Sequence, residues 1–244
     1  MKGIRQSILK TTLFFTISLL CLFSFSSCIV TQTTSPGKSH GTNAIIDWVD
    51  FIKFAGITYL AQSSGNPLKE TALGPQWNTI KHRLEGNVDD PAYQSQDGDA
   101  AFLNAGTRVY TVKGYRPTFR LATYTNRGII LFEADSNPRA KKGADLLDIG
   151  EKVRYIGINS DQNENIELAA IKDNATVSPL ITMILEASVN QRNMSVGNKR
   201  YVLVFRLLDG TVVKSMYHVD TGELARGIML PQDFRRAIDQ AAGK

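Results

Sequence analysis

The sequence predicts an α+β fold, mainly antiparallel β and hairpin-rich, with two short helices in its C-terminal part. Three observations lead there. Runs of strand-forming residues are divided by short turn signals, the strongest being Asp209-Gly210 between YVLVFRLL and TVVKSMYHV. The stretch Asp97–Glu133 holds further runs of this kind, separated at Gly106, Gly114 and residues 126–128. From residue 176 the composition shifts to a helix–hairpin–helix pattern, which segregates helices from the earlier strands.

In chain order, Ala55-Gly56 divides Ile45–Phe54 from Ile57–Gln62 and predicts a hairpin. SSGNPLKETALGPQ reads as a loop, with Pro67, Gly74 and Pro75 as breakers. Trp77–Leu84 fits a strand or a short helix, and residues 86–96 are polar and turn-rich. RVYTVKGY follows a turn at residues 104–106, and Gly114 and Pro117 interrupt the chain before FRLATYT. IILFEA is apolar on consecutive residues, which predicts a strand in the middle of the sheet, covered on both faces. SNPRAKKGAD is a basic loop. LLDIGEKVRYIGINS and IELAAIKD flank the turn-forming residues 161–165 and predict another hairpin. Ser178 followed by Pro179 has the pattern of an N-cap and first helical position, for a helix of about ten residues. A final helix starts at Pro231, with Phe234, Ala237, Ile238 and Ala241 on one side.

The N-terminus carries a different signal. Lys2, Arg5 and Lys10 precede a short apolar and hydroxyl run, Thr11 to Phe25, then Ser26, Ser27 and Cys28. The run is short for a membrane span and suits an export signal. It resembles a bacterial lipoprotein signal, in which the peptidase cuts before a cysteine whose sulfur receives a diacylglycerol; Phe25 stands where that pattern favours Leu. The resemblance implies Cys28 as the lipidated residue, with palmitate-type acyl chains, and Cys21, which follows the bulky Leu20, as a poorer candidate. Loss of residues 1–27 removes Cys21 and leaves Cys28 alone, so an internal disulfide, a thiolate metal site and a cysteine nucleophile are all excluded in the mature chain. The same loss removes three of 28 Lys+Arg and none of 23 Asp+Glu, leaving 25 against 23. A balance so near neutrality gives no basis for nucleic-acid binding.

Residues 28–44, rich in Ser, Thr, Gly and Pro, read as a flexible tether reaching on the order of 20 Å. The folded part is then expected as a β-rich region over 45–175 and an α+β part over 176–244 packed on it.

The block DGDAAFLNAGTRVYTVKGYRPTFRLA, with LLDIGEKVRYIGINS and RGIMLP further on, resembles a group of uncharacterised lipoproteins from Gram-positive bacteria. The resemblance spans most of residues 45–240. It implies envelope localisation, and it supplies no catalytic residue.

Several constellations are candidates for chemistry. Asp97 and Asp99, with Asp89 and Asp90 nearby, offer hard oxygen ligands of the calcium type, against the plainer reading of a turn in which carboxylates accept backbone N–H bonds. Asp161, Asn163 and Asn165 open like an EF-hand, but Ile166 and Lys172 occupy the positions that require Gly and Glu, so a hairpin tip fits better. Tyr110, Lys113, Tyr115, Arg116, Phe119 and Arg120 mix aromatic rings and cations, which suits an anionic or glycan ligand. The competing reading puts Tyr110 and Phe119 in the core and Lys113, Arg116 and Arg120 on a solvated edge. His218 and Asp220 share a face if the strand continues through both, and Glu133, Asp135, Asp145 and Asp148 are possible carboxylate pairs.

No G-x-S-x-G, H-E-x-x-H or nucleotide-binding loop occurs in a suitable setting. The expected function is a non-enzymatic module that binds a ligand or partner, lipid-anchored on the outer face of the cell membrane and needing no cofactor. Its partners would be the membrane, an anionic wall polymer or another envelope protein, with no nucleic acid. The alternatives are a hydrolase of envelope glycans or esters using His218 with an acidic residue, and a sensory or regulatory accessory of a membrane protein.

Overall fold

At residues 55 and 56 both φ angles are positive, 50° and 71°, the turn geometry that matches the twist of paired strands. It closes β1 (Phe51–Phe54) and β2 (Ile57–Gln62) into the expected hairpin. This computed structural model describes residues 46–62, 67–126, 128–190 and 199–243. The expected signal, tether and Cys28 lie outside the described residues. Residues 43–244 group into one compact unit.

Six more strands complete a first sheet: β3 (Leu73–Thr79), β4 (His82–Arg83), β5 (Asp99–Ala100), β6 (Arg108–Val112), β7 (Arg120–Thr125) and β8 (Gly128–Ser136). Their order is β3-β6-β7-β8-β2-β1-β5-β4, with neighbours antiparallel except β4 and β5. The two ends of that order, β3 and β4, are joined by residues 80 and 81 alone, so the sheet rolls until its rims meet. Ile80 sits at this seam, 1% exposed, its N–H bonded to Thr107 O and its carbonyl to Gly106 N. Inside the roll pack Ile52, Phe54, Ile57, Tyr59, Leu121 and Phe132.

β8 lies within the sheet, between β7 and β2, as the consecutive apolar run predicts, but cover on both faces holds only for Phe132, Glu133 and Ala134, while Ile129, Ile130 and Leu131 are half-buried. The segment expected as a loop around Pro75 is instead part of β3. Pro75 is tolerated because β3 ends the strand order and its register with β6 is broken by bulges.

The second sheet holds β9 (Val153–Ser160), β10 (Glu167–Ile171), β11 (Arg200–Leu207), β12 (Val212–His218), β13 (Glu223–Leu224) and β14 (Ile228–Met229). Their order is β10-β9-β11-β12-β13-β14. The hairpins β9–β10 and β11–β12 form as expected. β9 also pairs with β11, so the second sheet begins well before residue 176, and the sheets divide between Ser136 and Val153.

One face of this sheet is covered by α1 (Asn174–Glu186) and α2 (Gln232–Ala241). α2 starts after Pro231 and buries Phe234 and Ile238, as its periodicity predicts. α1 differs from expectation. It begins five residues earlier, at Asn174, because the Asp173 carboxylate accepts the N–H groups of Ala175 and Thr176, and Pro179 falls inside the helix. Gly143 abuts the end of α1 so closely that a Cβ there would lie 1.9 Å from the Ile184 carbonyl oxygen. The Gly143 N–H bonds to Ala187 O at 2.8 Å.

Asp173→Ala is expected to lower the thermal midpoint by roughly 2–4 °C, and Ser178→Ala to leave it unchanged. Thermal unfolding followed by circular dichroism checks the pair.

Candidate functional site

The basic–aromatic run divides among three structural duties. Tyr110 is half-buried on β6, and the exposed Lys113 donates through Nζ to Thr71 O at 2.8 Å. Arg116 is exposed but engaged: its N–H donates to Asp148 Oδ2 at 2.7 Å and its guanidinium to the carbonyls of Ala144 and Leu147. Phe119 is core, as the plainer reading has it.

Arg120 corrects both readings of that run, for it is 0% exposed. Counting outward from the turn at residues 126–128 pairs Arg120 with Glu133 on β8. Its Nε donates to Glu133 Oε1 at 2.9 Å, and Nη1 donates to Thr211 Oγ1 at 2.8 Å. Nη2 donates to Glu133 Oε1 and to Val212 O. Its guanidinium also lies 4.5 Å from the centroid of Tyr115 and 5.1 Å from that of Phe119. Thr211 and Val212 belong to the β11–β12 hairpin, so Arg120 clamps one sheet to the other and presents no free donor face to a ligand.

Tyr115 completes the clamp by donating from its hydroxyl to Asp209 Oδ2 at 2.7 Å. Burial pushes the Tyr115 hydroxyl well above its usual range, and the Asp209 hydrogen bond adds to this. Burial also pushes the Asp209 carboxyl up, but hydrogen bonds from Tyr115 and Thr211 outweigh it and hold the group below the usual carboxylate range. Asp148 behaves alike: burial raises it, and Lys152 Nζ with the Arg116 N–H lowers it further than burial lifts it.

The remaining candidates are held apart. Asp97 Oδ1 accepts the Gly56 N–H at 2.8 Å, and the buried Asp99 accepts Gln96 N–H and the Tyr93 hydroxyl. Both carboxylates thus serve turns, and among the described residues no group of three or more His, Cys, Asp or Glu is placed to hold a metal ion. Residues 161–165 form the tip of the β9–β10 hairpin. Glu133 faces Arg120, Asp145 accepts the N–H groups of Lys141 and Lys142, Asp148 binds Lys152, and Asp135 is exposed, so these four carboxylates form no pair. β12 ends at His218, which places Asp220 in the following turn, where its carboxylate accepts the Lys199 N–H at 3.2 Å. The shared strand face expected for His218 and Asp220 is therefore lost. Ser215 packs on the opposite face of β12 from His218.

A different site emerges on the face of the second sheet turned away from the helices. There Gly157 of β9 stands beside Val204 of β11, and Val204 beside Lys214 of β12. Beside Gly157, a cradle of ≈ 140 Å³ is lined by Asn159, Val204, Arg206, Val212 and Lys214, with Glu164 and Asn165 of the β9–β10 tip. The β9–β10 tip folds over it: Asn159 Nδ2 donates to Glu164 O at 2.7 Å, and Lys214 Nζ meets Glu164 Oε1 at 2.9 Å. Arg206 lies over the Tyr155 ring and 3.9 Å from Glu167 Oε2.

Glycine at the centre of a strand is weakening, and it marks a place where something approaches closely. Here a Cβ on Gly157 would lie 2.9 Å from Glu167 Oε2 and 3.0 Å from Asn159 Oδ1. Asn159 is 2% exposed, yet its Oδ1 has no hydrogen-bond partner, and neither has the buried Nε of Arg206. Two larger concavities differ in kind. One, of ≈ 570 Å³ beside β4, is basic and open, with Lys81, His82 and Arg83; the other, of ≈ 560 Å³ along α1, has an apolar floor of Val153, Val177 and Ile181. Sequence reasoning missed the cradle, whose lining residues come from β9, β11, β12 and the β9–β10 tip and share no sequence pattern.

Comparison with protein-family models, with curated proteins and with solved structures finds no match to this chain.

Arg120→Ala is expected to destabilise the protein by about 3–5 kcal/mol in denaturant unfolding, because it strands the Glu133 carboxylate, while Arg120→Met with Glu133→Leu recovers most of that loss. The depressed Asp209 carboxyl gives stability that is present above its unfolded pKa of about 3.9 and is lost as pH falls through the lower folded value. Asp209→Asn should accordingly flatten the acid limb of a stability–pH curve below about pH 4.

Proposed function

We propose that this chain is a lipid-anchored extracytoplasmic binding module, displayed on the outer face of the cell membrane through Cys28. The observation that carries the reading is the order of segments: Lys2, Arg5 and Lys10, then the apolar run ending at Ser27-Cys28, then a Ser/Thr/Gly-rich tether, then a folded body. Anchoring would come from acyl chains. Among the described residues no helix is long and apolar enough to cross a membrane.

Two features support binding as the task of the folded body. The body carries a small polar cradle beside two buried polar atoms, Asn159 Oδ1 and Arg206 Nε, that have no hydrogen-bond partner. Its most concentrated charges, at Arg120, Glu133, Asp148 and Asp209, are engaged with one another or with neighbouring residues in joining the sheets. The cradle replaces the Arg116–Arg120 region as the place where a ligand would sit.

Growth of expressing cells with a radiolabelled fatty acid tests the anchor. The wild-type chain is expected to take up label and fractionate with membranes, and Cys28→Ser to lose the label and appear in a soluble fraction. An unlabelled wild-type chain recovered from the cytosol would overturn the reading.

A further inference from the structure

Each sheet has two ends, and among the described residues three of the four are closed. The rims of the first sheet meet at the seam beside Ile80. In the second sheet the β14 end is covered by the segment after α1. There Val189 bridges to Ile228, Met229 N–H donates to Ser188 O at 2.9 Å, and Asn190 N–H donates to Gly227 O at 2.7 Å. The fourth end is β10, which pairs with β9 and with no other described strand. An open edge is a row of backbone donors and acceptors ready to take a further strand. This one also shows large apolar side chains to water, Ile166 at 52% and Leu168 at 56% exposed.

The edge is complementary to itself. Glu167 and Ala169 bracket a bulge whose extra residue is Leu168. Beyond it β10 runs in regular register, with Ala169, Ala170 and Ile171 opposite Ile158, Gly157 and Ile156. A two-fold axis perpendicular to a sheet brings like faces of two antiparallel strands together, so it must pass through a residue position. At Ala170, the middle of the regular stretch, the axis sets Ala169 against Ile171 of the second copy, on the helix-covered side where both residues already join the core. On the other side two alanines meet at the axis, and Leu168 flanks Lys172 of the second copy, bringing that ammonium toward the oppositely charged Glu167. Glu167 and Lys172 do share this face: Glu167 Oε2 lies over Gly157, Lys172 Nζ lies 5.6 Å from the centroid of Tyr155, and Tyr155 and Gly157 are two residues apart on β9. An axis at Ala169 would instead set Ile171 against Glu167 across the bulge.

We propose that β10 pairs with β10 of a second copy of this chain about a two-fold axis at Ala170, joining two second sheets into one continuous antiparallel sheet. A second copy fits this edge better than a strand of other sequence because the edge supplies its own match in charge, in apolar pairs and in register. The pairing also closes on itself. Each copy offers one such edge among the described residues, so addition stops at two and no fibre grows. The ladder is short, which makes the affinity in solution low; on the lipid-anchored reading above, residence of both copies on one membrane raises their local concentration. The pairing itself follows from the edge and does not need the anchor.

The test is oxidative crosslinking of the purified full chain in a non-ionic detergent, read on a non-reducing gel. Ala170→Cys is expected to give a disulfide-linked dimer, because residues opposite one another in an antiparallel pair bring their Cβ atoms to ~4.5–5.5 Å. Leu168→Cys is expected to give none, because position 168 and its own copy stand about four residues, or ~13 Å, apart along the ladder. Adding Leu168→Asp to the Ala170→Cys chain is expected to cut the dimer yield at least ten-fold with an unchanged thermal midpoint. Sedimentation of the unsubstituted chain is expected to show a concentration-dependent dimer that Leu168→Asp abolishes, and this measurement decides the matter should Ala170→Cys prove unstable. No dimer from a folded Ala170→Cys chain, an equal yield from Leu168→Cys, or crosslinking in cells to a different protein in place of a second copy would each overturn the proposal. The anchor is judged separately: a disulfide dimer formed without any introduced cysteine would reveal a free Cys28 thiol and count against acylation, and Cys28→Ser removes that background before the pairing is scored.

Discussion

A guanidinium with no exposure to water organises this molecule. Taking such a charge out of water costs several kcal/mol, and the fold is stable only where opposite charge and acceptors meet it in good geometry. Arg120 finds these in two places at once: Glu133 on the neighbouring strand of its own sheet, and Thr211 with the Val212 carbonyl on a hairpin of the other. The Tyr115 and Phe119 rings close over it, and Asp209 adds a second carboxylate at 3.8 Å. Separating the sheets would bare the charge, so the two move as a unit.

Other contacts follow from that clamp. Phe119, next to Arg120 and at the entrance to a first-sheet strand, packs into the core of the second sheet with Leu146, Leu147 and Ile149. The intervening segment is held by Arg116 on the carbonyls of Ala144 and Leu147 and by Gly143 against the end of α1. A side chain at residue 143 would force that helix away. The two-part division suggested by composition is thus a division into sheets, stapled at several points, with β9 and β10 in the second.

The elements readable from sequence are those whose cause is local. Gly56 and Gly210, both at positive φ, supply the turn conformation of their hairpins, and the spacing of Phe234 and Ile238 specifies α2. Misreadings occur where two local signals compete or where the cause is distant. Ser178-Pro179 is a sound helix start in isolation, but Asp173 offers a better cap five residues before Ser178. Pro75 breaks most strands but not one at the end of a sheet's order. Arg120 looks like a surface cation until its partner on β8 is counted from the turn, and Thr211 lies too far along the chain for any pattern to reveal. The cradle is harder still, since it gathers residues from three strands and a hairpin tip that share no sequence pattern.

Rolling the first sheet until β3 and β4 are linked by two residues has a consequence for assembly. An open sheet ends in a row of unpaired N–H and C=O groups that can template a further strand from another molecule. Here one rim is interrupted by Pro75 and bulges, and the other is a strand of two residues continuing from the same seam. Neither offers a long, straight ladder. The geometry that encloses the Ile52–Phe132 core therefore also guards the first sheet against edge-to-edge addition.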